Sequence, residues 1–254
     1  SDTLSLHDAL PIFTGPRELV VRESAHEERP PGAGEVRARA LASGISQGTE
    51  LLLYRGEGPE PFDPSLGGAS APTYPRRYGY AWVGVVEAVG SGAGAALAVG
   101  QRVFALAPHG DEHVLAASAA RALPEGVPAA RAVLAANLET AINVVWDAGV
   151  GLGDRVVVLG GGVVGLLCAH LCRRAGAAEV VVVEPGERRR AAARALGLDA
   201  EAPAERAPRG DADVVIEASG NPAALDRAIA HAGLEATIAL ASSWWLGERF
   251  GPLQ

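Results

Sequence analysis

Residues 160–165 read GGGVVG, and their glycine spacing is the pattern in this chain that points most directly to chemistry. Gly160 permits a tight turn, and Gly162 has no Cβ, so that the backbone there can approach a pyrophosphate. Gly165 lets a helix pack closely on a neighbouring strand. The pattern indicates a dinucleotide-binding turn, provided that a strand precedes it and a helix comes after it.

The sequence around this turn supplies both elements. A continuous apolar run predicts a strand over residues 154–159, and helical spacing predicts a helix over residues 163–174. The first turn of that helix contains Val163 and Val164 and would present unpaired N–H groups and a partial positive charge to phosphates. Alone the glycine pattern is weak, but in this context it predicts a cofactor site.

An acidic residue stands directly after the next predicted strand, residues 179–183. Glu184 lies 19 residues after Gly165, where a carboxylate can accept hydrogen bonds from the adenosine ribose diol and would repel a 2′-phosphate. This favours NAD over NADP. Arg188 and the two arginines after it leave NADP open, because an arginine there can bind a 2′-phosphate.

The chain from residue 127 onward alternates strands and helices. Besides the elements above, we predict strands at 213–217 and 236–240, a weak one near residue 200, and helices at 129–146, 188–196 and 222–232. Continuous apolar strands separated by helices indicate a parallel sheet covered on both faces. A doubly wound dinucleotide domain has roughly six strands, so we expect residues 127–254 to form a C-terminally truncated Rossmann domain.

The first half of the chain shows a different pattern of apolar and polar residues. Short segments with period-two alternation predict strands at 18–22, 35–41, 82–89, 101–106 and 112–115, and residues 56–79 form a long loop rich in Gly and Pro. Residues 14–126 are therefore predicted to form a β-rich domain of irregular barrel type, and the fold class is α/β plus β.

Residues 1–13, SDTLSLHDALPIF, show no strand alternation that continues into residue 14 and beyond. The segment 3–12 back-translates in frame to a string that looks like a sequencing-library adapter. We interpret residues 1–13 as translated adapter and exclude them from the fold.

Composition excludes several classes of function. All 22 basic residues are Arg, with no Lys and no Met anywhere, so there is no P-loop lysine and no Schiff-base lysine. A net charge of −8 argues against a nucleic-acid partner bound through a basic surface. No apolar run reaches the roughly 18 residues of a membrane span, and we expect a cytoplasmic protein.

The two cysteines, Cys168 and Cys172, stand four residues apart in an apolar stretch. A helix would put them on one face, and we expect both to be small core residues. A disulfide framework or a Cys-rich zinc site is not available.

Several stretches resemble the medium-chain dehydrogenase/reductase superfamily, the alcohol-dehydrogenase-like enzymes. They are GEVR at 34–37, LASGIS at 41–46, GYAWVGVVE at 79–87, GDRV at 153–156 and EASGNP at 217–222. The resemblance implies a GroES-like catalytic domain, a Rossmann domain and a nicotinamide cofactor between them. It implies an NAD(P)-dependent oxidoreductase that acts on an alcohol/carbonyl pair, and Ser219 as a further cofactor-binding residue.

The family's catalytic zinc is held at positions that match Ser46, Tyr80 and Ala136 here, and the four-cysteine structural-zinc lobe is missing. Neutral Ser, Tyr and Ala cannot replace thiolate and imidazole ligands. We therefore expect no zinc. The run SGISQGTE at 43–50 looks like the signature of a subgroup that includes enzymes similar to bacteriochlorophyllide hydroxyethyl dehydrogenase.

By the resemblance, four hydroxyl residues face the nicotinamide end of the cleft: Ser46, Thr49, Tyr80 and Thr140. Without zinc, a substrate oxygen must be polarised by hydroxyls or a protonated side chain, and we expect Ser46 and Tyr80 to donate to it and Thr140 to contact the nicotinamide. Glu50 either orients Ser46, acts as a base, or forms a structural ion pair with Arg55.

His109 and His113 flank two acidic residues, which raises the question of a metal site. Their spacing within a turn fixes no coordination geometry, so we favour a solvated loop.

Two other functions remain open, a zinc-less quinone or enoyl reductase and a non-catalytic dinucleotide-binding fragment. The expected partner is a small-molecule substrate, and a homodimer is open for the full-length protein.

Overall fold

The computed structural model describes residues 9–23, 29–56, 74–93 and 97–241. The chain divides into two compact units, Ser1–Ala136 and Asn137–Gln254. The sequence predicts a domain boundary at 126/127, whereas these units divide inside the helix Ala135–Asp147.

The first unit is β-rich. It contains a hairpin of β1 (Ala9–Gly15) and β2 (Glu18–Glu23) and an antiparallel five-stranded sheet in the order β6-β3-β4-β5-β7. The strands of that sheet are β3 (Glu35–Ser43), β4 (Trp82–Val89), β5 (Arg102–Ala105), β6 (Glu112–Ala116) and β7 (Ala120–Ala122). Helices α1 (Thr49–Arg55) and α2 (Ala129–Ala132) complete the unit.

Alternation along the strands builds the core of this unit. Val36 and Ala38 on β3 are fully buried and pack with Trp82, Val86 and Val103 in one cluster. The intervening residues of β3 face outward, since successive side chains of a strand point to opposite faces.

The hairpin corrects the expectation for the N-terminus. Ile12 pairs with Val20 in the antiparallel ladder of β1 and β2, and buried Phe13 exchanges backbone hydrogen bonds with Arg76. The expectation that residues 1–13 lie outside the fold is wrong for 9–13, because backbone pairing needs no side-chain alternation. Residues 1–8 lie outside the described part of the chain, and the adapter origin stays a prediction.

The second unit carries a parallel sheet in the order β10-β9-β8-β11-β12. Its strands are β8 (Arg155–Leu159), β9 (Glu179–Val183), β10 (Asp199–Glu201), β11 (Ala212–Glu217) and β12 (Ala232–Leu240). Its helices are α3 (Ala135–Asp147), α4 (Val163–Ala175), α5 (Glu187–Ala195) and α6 (Ala224–His231). The predicted alternation of strands and helices is confirmed, including the weak strand near residue 200.

Both faces of this sheet are buried. Val156 and Val158 of β8 pack in a cluster with Cys168 and Cys172 of α4, whereas Val157 packs on the other face with residues of β11 and α6. Both cysteines are fully buried, as expected, and burial raises the pKa of each thiol to about 12.

The long helix predicted over 129–146 is interrupted between α2 and α3. Gly44, just after β3, lies against this break, and a Cβ on it would be only 3.2 Å from Cβ of Val133. Helix α1 falls in a stretch for which we predicted no helix.

Among the described residues, none of the helices combines the length and hydropathy that crossing a bilayer requires.

Candidate active site

The glycine-rich turn occupies the junction between β8 and α4. Gly160 has a φ of +105°, and a Cβ on it would lie 2.8 Å from backbone atoms of Ala218. A Cβ on Gly165 would lie 2.0 Å from the carbonyl oxygen of Gly160, so helix and turn are in direct backbone contact. Gly160 thus needs glycine for the positive φ of the predicted tight turn and for its close backbone neighbours, and Gly165 needs it for the predicted close packing of the helix.

Gly162 differs from the other two glycines. It is the N-cap of α4, has an ordinary extended backbone and makes no side-chain cap hydrogen bond. A Cβ built on it meets no described atom within 4 Å. Open space therefore lies directly over the N-terminus of a 13-residue helix, which is the arrangement that receives phosphates. Val163 and Val164 form the first turn of that helix, and Val163 is exposed.

Glu184 lies beside the turn, at the end of β9. Its side chain is only 4% exposed, and its two carboxylate oxygens accept backbone hydrogen bonds from Gly161 and Gly186, each at 2.7 Å. Arg189 lies 3.7 Å from the same carboxylate. A negative charge is thus held rigidly against the glycine-rich turn, where the sequence predicts the ribose-binding acid.

The three arginines after Glu184 have different surroundings. Arg190 donates to the carbonyl oxygens of Glu184 and Pro185 and pairs with Glu187, so it serves to hold α5 against the end of β9. Arg188 is exposed.

Ser219 belongs to the turn after β11, next to the glycine-rich turn. Its backbone N–H donates to Glu217 at 2.7 Å, and its hydroxyl donates to the same carboxylate oxygen. Glu217 is fully buried. Sequence reasoning predicted no role for this glutamate; an acid at the end of an otherwise apolar strand is the signal that could have identified it.

Thr140 lies on an exposed stretch of α3, beside Glu139 and before the fully buried Ala141. The second unit therefore brings the glycine-rich turn, Glu184 and Ser219 together, whereas Thr140 lies on a separate helix.

A second cluster lies within the first unit, around Glu50. This glutamate of α1 is buried. One carboxylate oxygen accepts from the backbone N–H of Ser46 at 2.7 Å, and the other lies 2.9 Å from Nε2 of His109. The interpretation that Glu50 orients Ser46 agrees with this geometry, and Glu50 also forms an ion pair with His109.

The expectation of a solvated loop at His109 is wrong. The imidazole is only 12% exposed, and its Nδ1 is hydrogen bonded to the hydroxyl of Ser43. Backbone packing holds it there, because the N–H of His109 donates to the carbonyl of Tyr78 at 3.0 Å and a Cβ on Gly79 would be 2.9 Å from the ring.

His113 is also partly enclosed rather than solvated. Its Nε2 lies 2.8 Å from the carbonyl oxygen of Pro108, and its ring packs edge-on against Trp82. Burial lowers the pKa of His113 below its ordinary value.

The other predicted hydroxyl residues lie in the same unit. Tyr80 packs edge-on against Tyr78, with ring centroids 6.4 Å apart. Burial is the largest cause that raises the pKa of Tyr78, and the electrostatic interaction with the nearby Tyr80 raises it further. Ser46 is half-buried and Thr49, at the start of α1, is exposed.

The donor set in this unit does not fit the family's zinc. At the positions that match the family's ligands, Ser46 and Tyr80 offer only neutral hydroxyl groups, and Ala136 has no ligand atom in its side chain. Within the described ranges, no three His, Cys, Asp or Glu side chains converge as a metal site would need.

Comparisons with known proteins show what this chain is similar to. A family model described as zinc-binding dehydrogenase matches residues 163–249. D-guloside 3-dehydrogenase of Escherichia coli (strain K12) is 29% identical over 270 residues, which cover 94% of this chain and 76% of that protein.

Solved structures resemble most of the chain. One, described as a zinc-binding dehydrogenase, comes from Sinorhizobium meliloti 1021 and is bound to NADP. It has a TM-score of 0.79 and 22% identity and covers 96% of this chain and 79% of that one. Another, described as a short chain alcohol dehydrogenase, comes from Escherichia coli CFT073 and is complexed with NADH. It has a TM-score of 0.72 and 25% identity and covers 92% of this chain and 75% of that one.

Residues 163–249 thus match the zinc-binding dehydrogenase family, and most of the chain is similar to a dehydrogenase in sequence and to dehydrogenases in fold. The predicted fold class is confirmed. So is the predicted class of activity, that of an NAD(P)-dependent, alcohol-dehydrogenase-like oxidoreductase.

Proposed function

We propose that this alcohol-dehydrogenase-like oxidoreductase interconverts a secondary alcohol and a ketone on a polyhydroxylated small molecule, with NAD(P) and without zinc. The observation that carries the proposal is the open space over Gly162 at the N-terminus of α4, beside a buried carboxylate. The substrate class is taken from the D-guloside 3-dehydrogenase, whose name specifies oxidation at a sugar-derived position. Bound NAD(P) would supply the hydride acceptor or donor.

The cofactor would be held by residues of the second unit. The N–H groups of the first turn of α4, at Val163 and Val164, would bind the pyrophosphate. Glu184 would accept from the ribose hydroxyls, and Ser219 would contact the cofactor from the neighbouring turn.

NAD is the favoured form. The buried charge of Glu184 would lie next to a 2′-phosphate and would repel it, since solvent screens like charges only weakly at a buried site. The exposed Arg188 and Arg189 are the residues that would offset this repulsion, and they keep NADP as the alternative.

Zinc-independent chemistry is supported by the side chains at the family's ligand positions. Ser46 and Tyr80 would donate hydrogen bonds to the substrate oxygen in place of a Lewis acid. Thr49 and Thr140 would line the nicotinamide end, as the resemblance implies, and Glu50 would hold the Ser46 segment in place through the 2.7 Å bond to its backbone.

Nucleotide titration tests the cofactor. We expect NADH to bind at least about tenfold more tightly than NADPH, a difference of about 1.4 kcal/mol. In Glu184→Gln the charge is removed, so the preference should shrink, whereas Glu187→Gln, an exposed neighbour, should leave it unchanged. Equal affinities in the wild-type protein would contradict the NAD assignment.

Substrate and metal are tested together. We expect oxidation of secondary alcohols of polyols or glycosides to persist after treatment with a chelator, and elemental analysis to find far less than one zinc per chain. Stoichiometric zinc that is needed for turnover would contradict the zinc-independent proposal. Turnover of quinones or enones in place of alcohols would favour the alternative reductase function.

A further inference from the structure

Ser43, His109 and Glu50 form a continuous hydrogen-bonded line within the first unit. The Ser43 hydroxyl contacts Nδ1 of His109, and Nε2 of the same ring lies 2.9 Å from Oε2 of Glu50. The three residues come from the end of β3, the loop before β6 and helix α1. Of these three residues, only Glu50 is predicted from the sequence as a candidate catalytic residue.

The direction of the hydrogen bonds is set by the chemistry of the partners. An ionised carboxylate only accepts, so the proton of a neutral His109 ring sits on Nε2 and is donated to Glu50. Nδ1 is then the unprotonated nitrogen and accepts the hydroxyl proton of Ser43. This is the tautomer in which an imidazole can take a proton from a serine hydroxyl.

The three residues of this line differ in how deeply they are buried. The Glu50 side chain is 8% exposed and the His109 side chain 12% exposed, whereas Ser43 is on the surface of the unit. Of the three residues, Ser43 therefore lies nearest to solvent and Glu50 furthest from it. Charge that forms on the imidazole would be balanced by Glu50 from the inside.

The surroundings keep this line in place. The other oxygen of Glu50 accepts from the N–H of Ser46, and His109 is held by Tyr78 and the close approach of Gly79. The guanidinium of Arg77 lies 3.4 Å from the carbonyl oxygen of His109.

We propose that Ser43, His109 and Glu50 are the proton relay of the dehydrogenase reaction. The proposal rests on the proposed function. When an alcohol is oxidised, its carbon gives up a hydride to NAD(P)⁺, and the proton of its hydroxyl must leave. Ser43 Oγ takes that proton as its own proton passes to Nδ1 of His109, and the imidazolium is stabilised by Glu50. Reduction of a carbonyl runs the same transfers in reverse, so protons and electrons balance in both directions.

In this scheme Ser43 takes the proton of the substrate oxygen, to which Ser46 and Tyr80 would donate hydrogen bonds, and His109 and Glu50 act through Ser43. General acid–base groups contribute about 10²- to 10⁴-fold to rate. We therefore expect Ser43→Ala and His109→Ala each to lower kcat for alcohol oxidation about 100-fold, with KM and the Kd for NADH changed less than about twofold.

Two further variants separate the relay from a structural role. Free imidazole added to His109→Ala should restore part of kcat, whereas it should not restore Ser43→Ala, which lacks the hydroxyl. Ser43→Thr keeps a hydroxyl and should retain most of the activity. Ser118→Ala, at an exposed serine of the same unit, and His170→Ala, at an exposed histidine of α4, are the matched controls and should leave kcat unchanged.

Kinetics overturn the proposal if Ser43→Ala and His109→Ala keep wild-type kcat, or if imidazole fails to rescue a folded His109→Ala. Should His109→Ala not fold, as judged by circular dichroism, His109→Gln and the exposed Ser43→Ala carry the test.

A spectroscopic measurement separates failure of the relay from failure of the proposed function. In the ¹⁵N spectrum of the wild-type protein, His109 should show a protonated Nε2 and an unprotonated Nδ1, and Ser43→Ala should shift the Nδ1 resonance. A protonated Nδ1 in the neutral ring would overturn the relay even if the enzyme oxidises alcohols. If no alcohol or carbonyl is turned over but this tautomer is found, the proposed function fails, and the role of these residues as its relay fails with it.

Discussion

At the scale of single residues, the three glycines of the 160–165 turn serve two separate purposes. Gly160 and Gly165 have backbone atoms within 3 Å of where a Cβ would stand. Gly162 has empty space there and an ordinary φ of −74°. Packing explains the first two glycines, and room for a ligand explains the third.

This difference yields a paired prediction. Gly165→Ala should destabilise the protein by about 1–3 kcal/mol through overpacking against Gly160 and weaken NADH binding as well. Gly162→Ala should leave the melting temperature unchanged, because its methyl group meets no described atom, and should weaken NADH binding about tenfold. Thermal melts and fluorescence titrations of both variants measure the two effects.

The pair is its own control, since the same chemical change is made at two positions of one turn. Unchanged NADH affinity in a folded Gly162→Ala protein would show that no phosphate approaches this glycine.

At the scale of elements, α4 carries its two cysteines on the face that packs on the sheet. Both thiols are fully buried in the core cluster of the second unit, and burial raises the pKa of each to about 12. Thiolate, the reactive form, is therefore scarce at neutral pH, and the sulfur atoms are out of reach.

We expect Cys168 and Cys172 to resist alkylation by iodoacetamide at pH 8 in the native protein and to react fully in guanidinium chloride. The rate in buffer should track the opening of the second unit, so saturating NADH should slow it further. Mass spectrometry counts the modified thiols. Rapid modification of the native protein would contradict the buried packing of α4.

Helix α6 ends in a buried histidine. His231 is 2% exposed, and its Nε2 has no hydrogen-bond partner among the described residues. Burial is the first cause that lowers the pKa of His231, followed by the charges of Arg227 and Arg206, while Asp211 acts in the opposite direction. The protonated form is therefore disfavoured in the folded state.

The sign of the pH effect is set by this shift. Below pH of about 6.5, the unfolded chain binds a proton that folded His231 does not, so the free energy of unfolding falls as the pH falls towards the folded-state pKa. His113 contributes in the same direction. We expect His231→Leu to flatten the decline between pH 6.5 and 5, with a slope change of up to about 1.4 kcal/mol per pH unit.

Urea unfolding at several pH values measures that slope. His170→Leu, at an exposed position of α4, is the matched control and should leave the slope unchanged. A parallel pH profile for His231→Leu and the wild-type protein would contradict the role assigned to burial.

At the scale of the whole molecule, the described residues form two units with separate cores. Val36 is fully buried in the cluster of the first unit, and Val158 is fully buried in a cluster of the second. Neither residue belongs to the other's cluster. Substitutions without shared partners add in free energy to within about 0.5 kcal/mol.

We expect Val36→Ala and Val158→Ala each to lower the free energy of unfolding by about 2 kcal/mol and the double variant to lower it by their sum. A coupling energy above about 1 kcal/mol, measured by denaturant unfolding of the four proteins, would contradict independent cores.

The sequence by itself was sufficient for the features that depend on neighbouring residues. The strand, glycine-rich turn and helix at 155–175 are consecutive, so their spacing alone predicts the turn, and the apolar runs predict a parallel sheet with two buried faces. Glu184 was predictable for the same reason, because it ends the very next strand. Helix α1 and the N-terminal strand were not, because short segments take their structure from the elements on which they pack.

The line from Ser43 through His109 to Glu50 was decided by tertiary structure alone. His109 is 59 residues from Glu50 and 66 from Ser43 along the chain. Antiparallel pairing of β3 with β6, in which Ala38 faces His113, brings the loop before β6 to the end of β3. Residue type and local spacing made His109 look solvated, because the residues that enclose it come from the end of β3, from helix α1 and from the segment before β4, which are all distant from it in sequence.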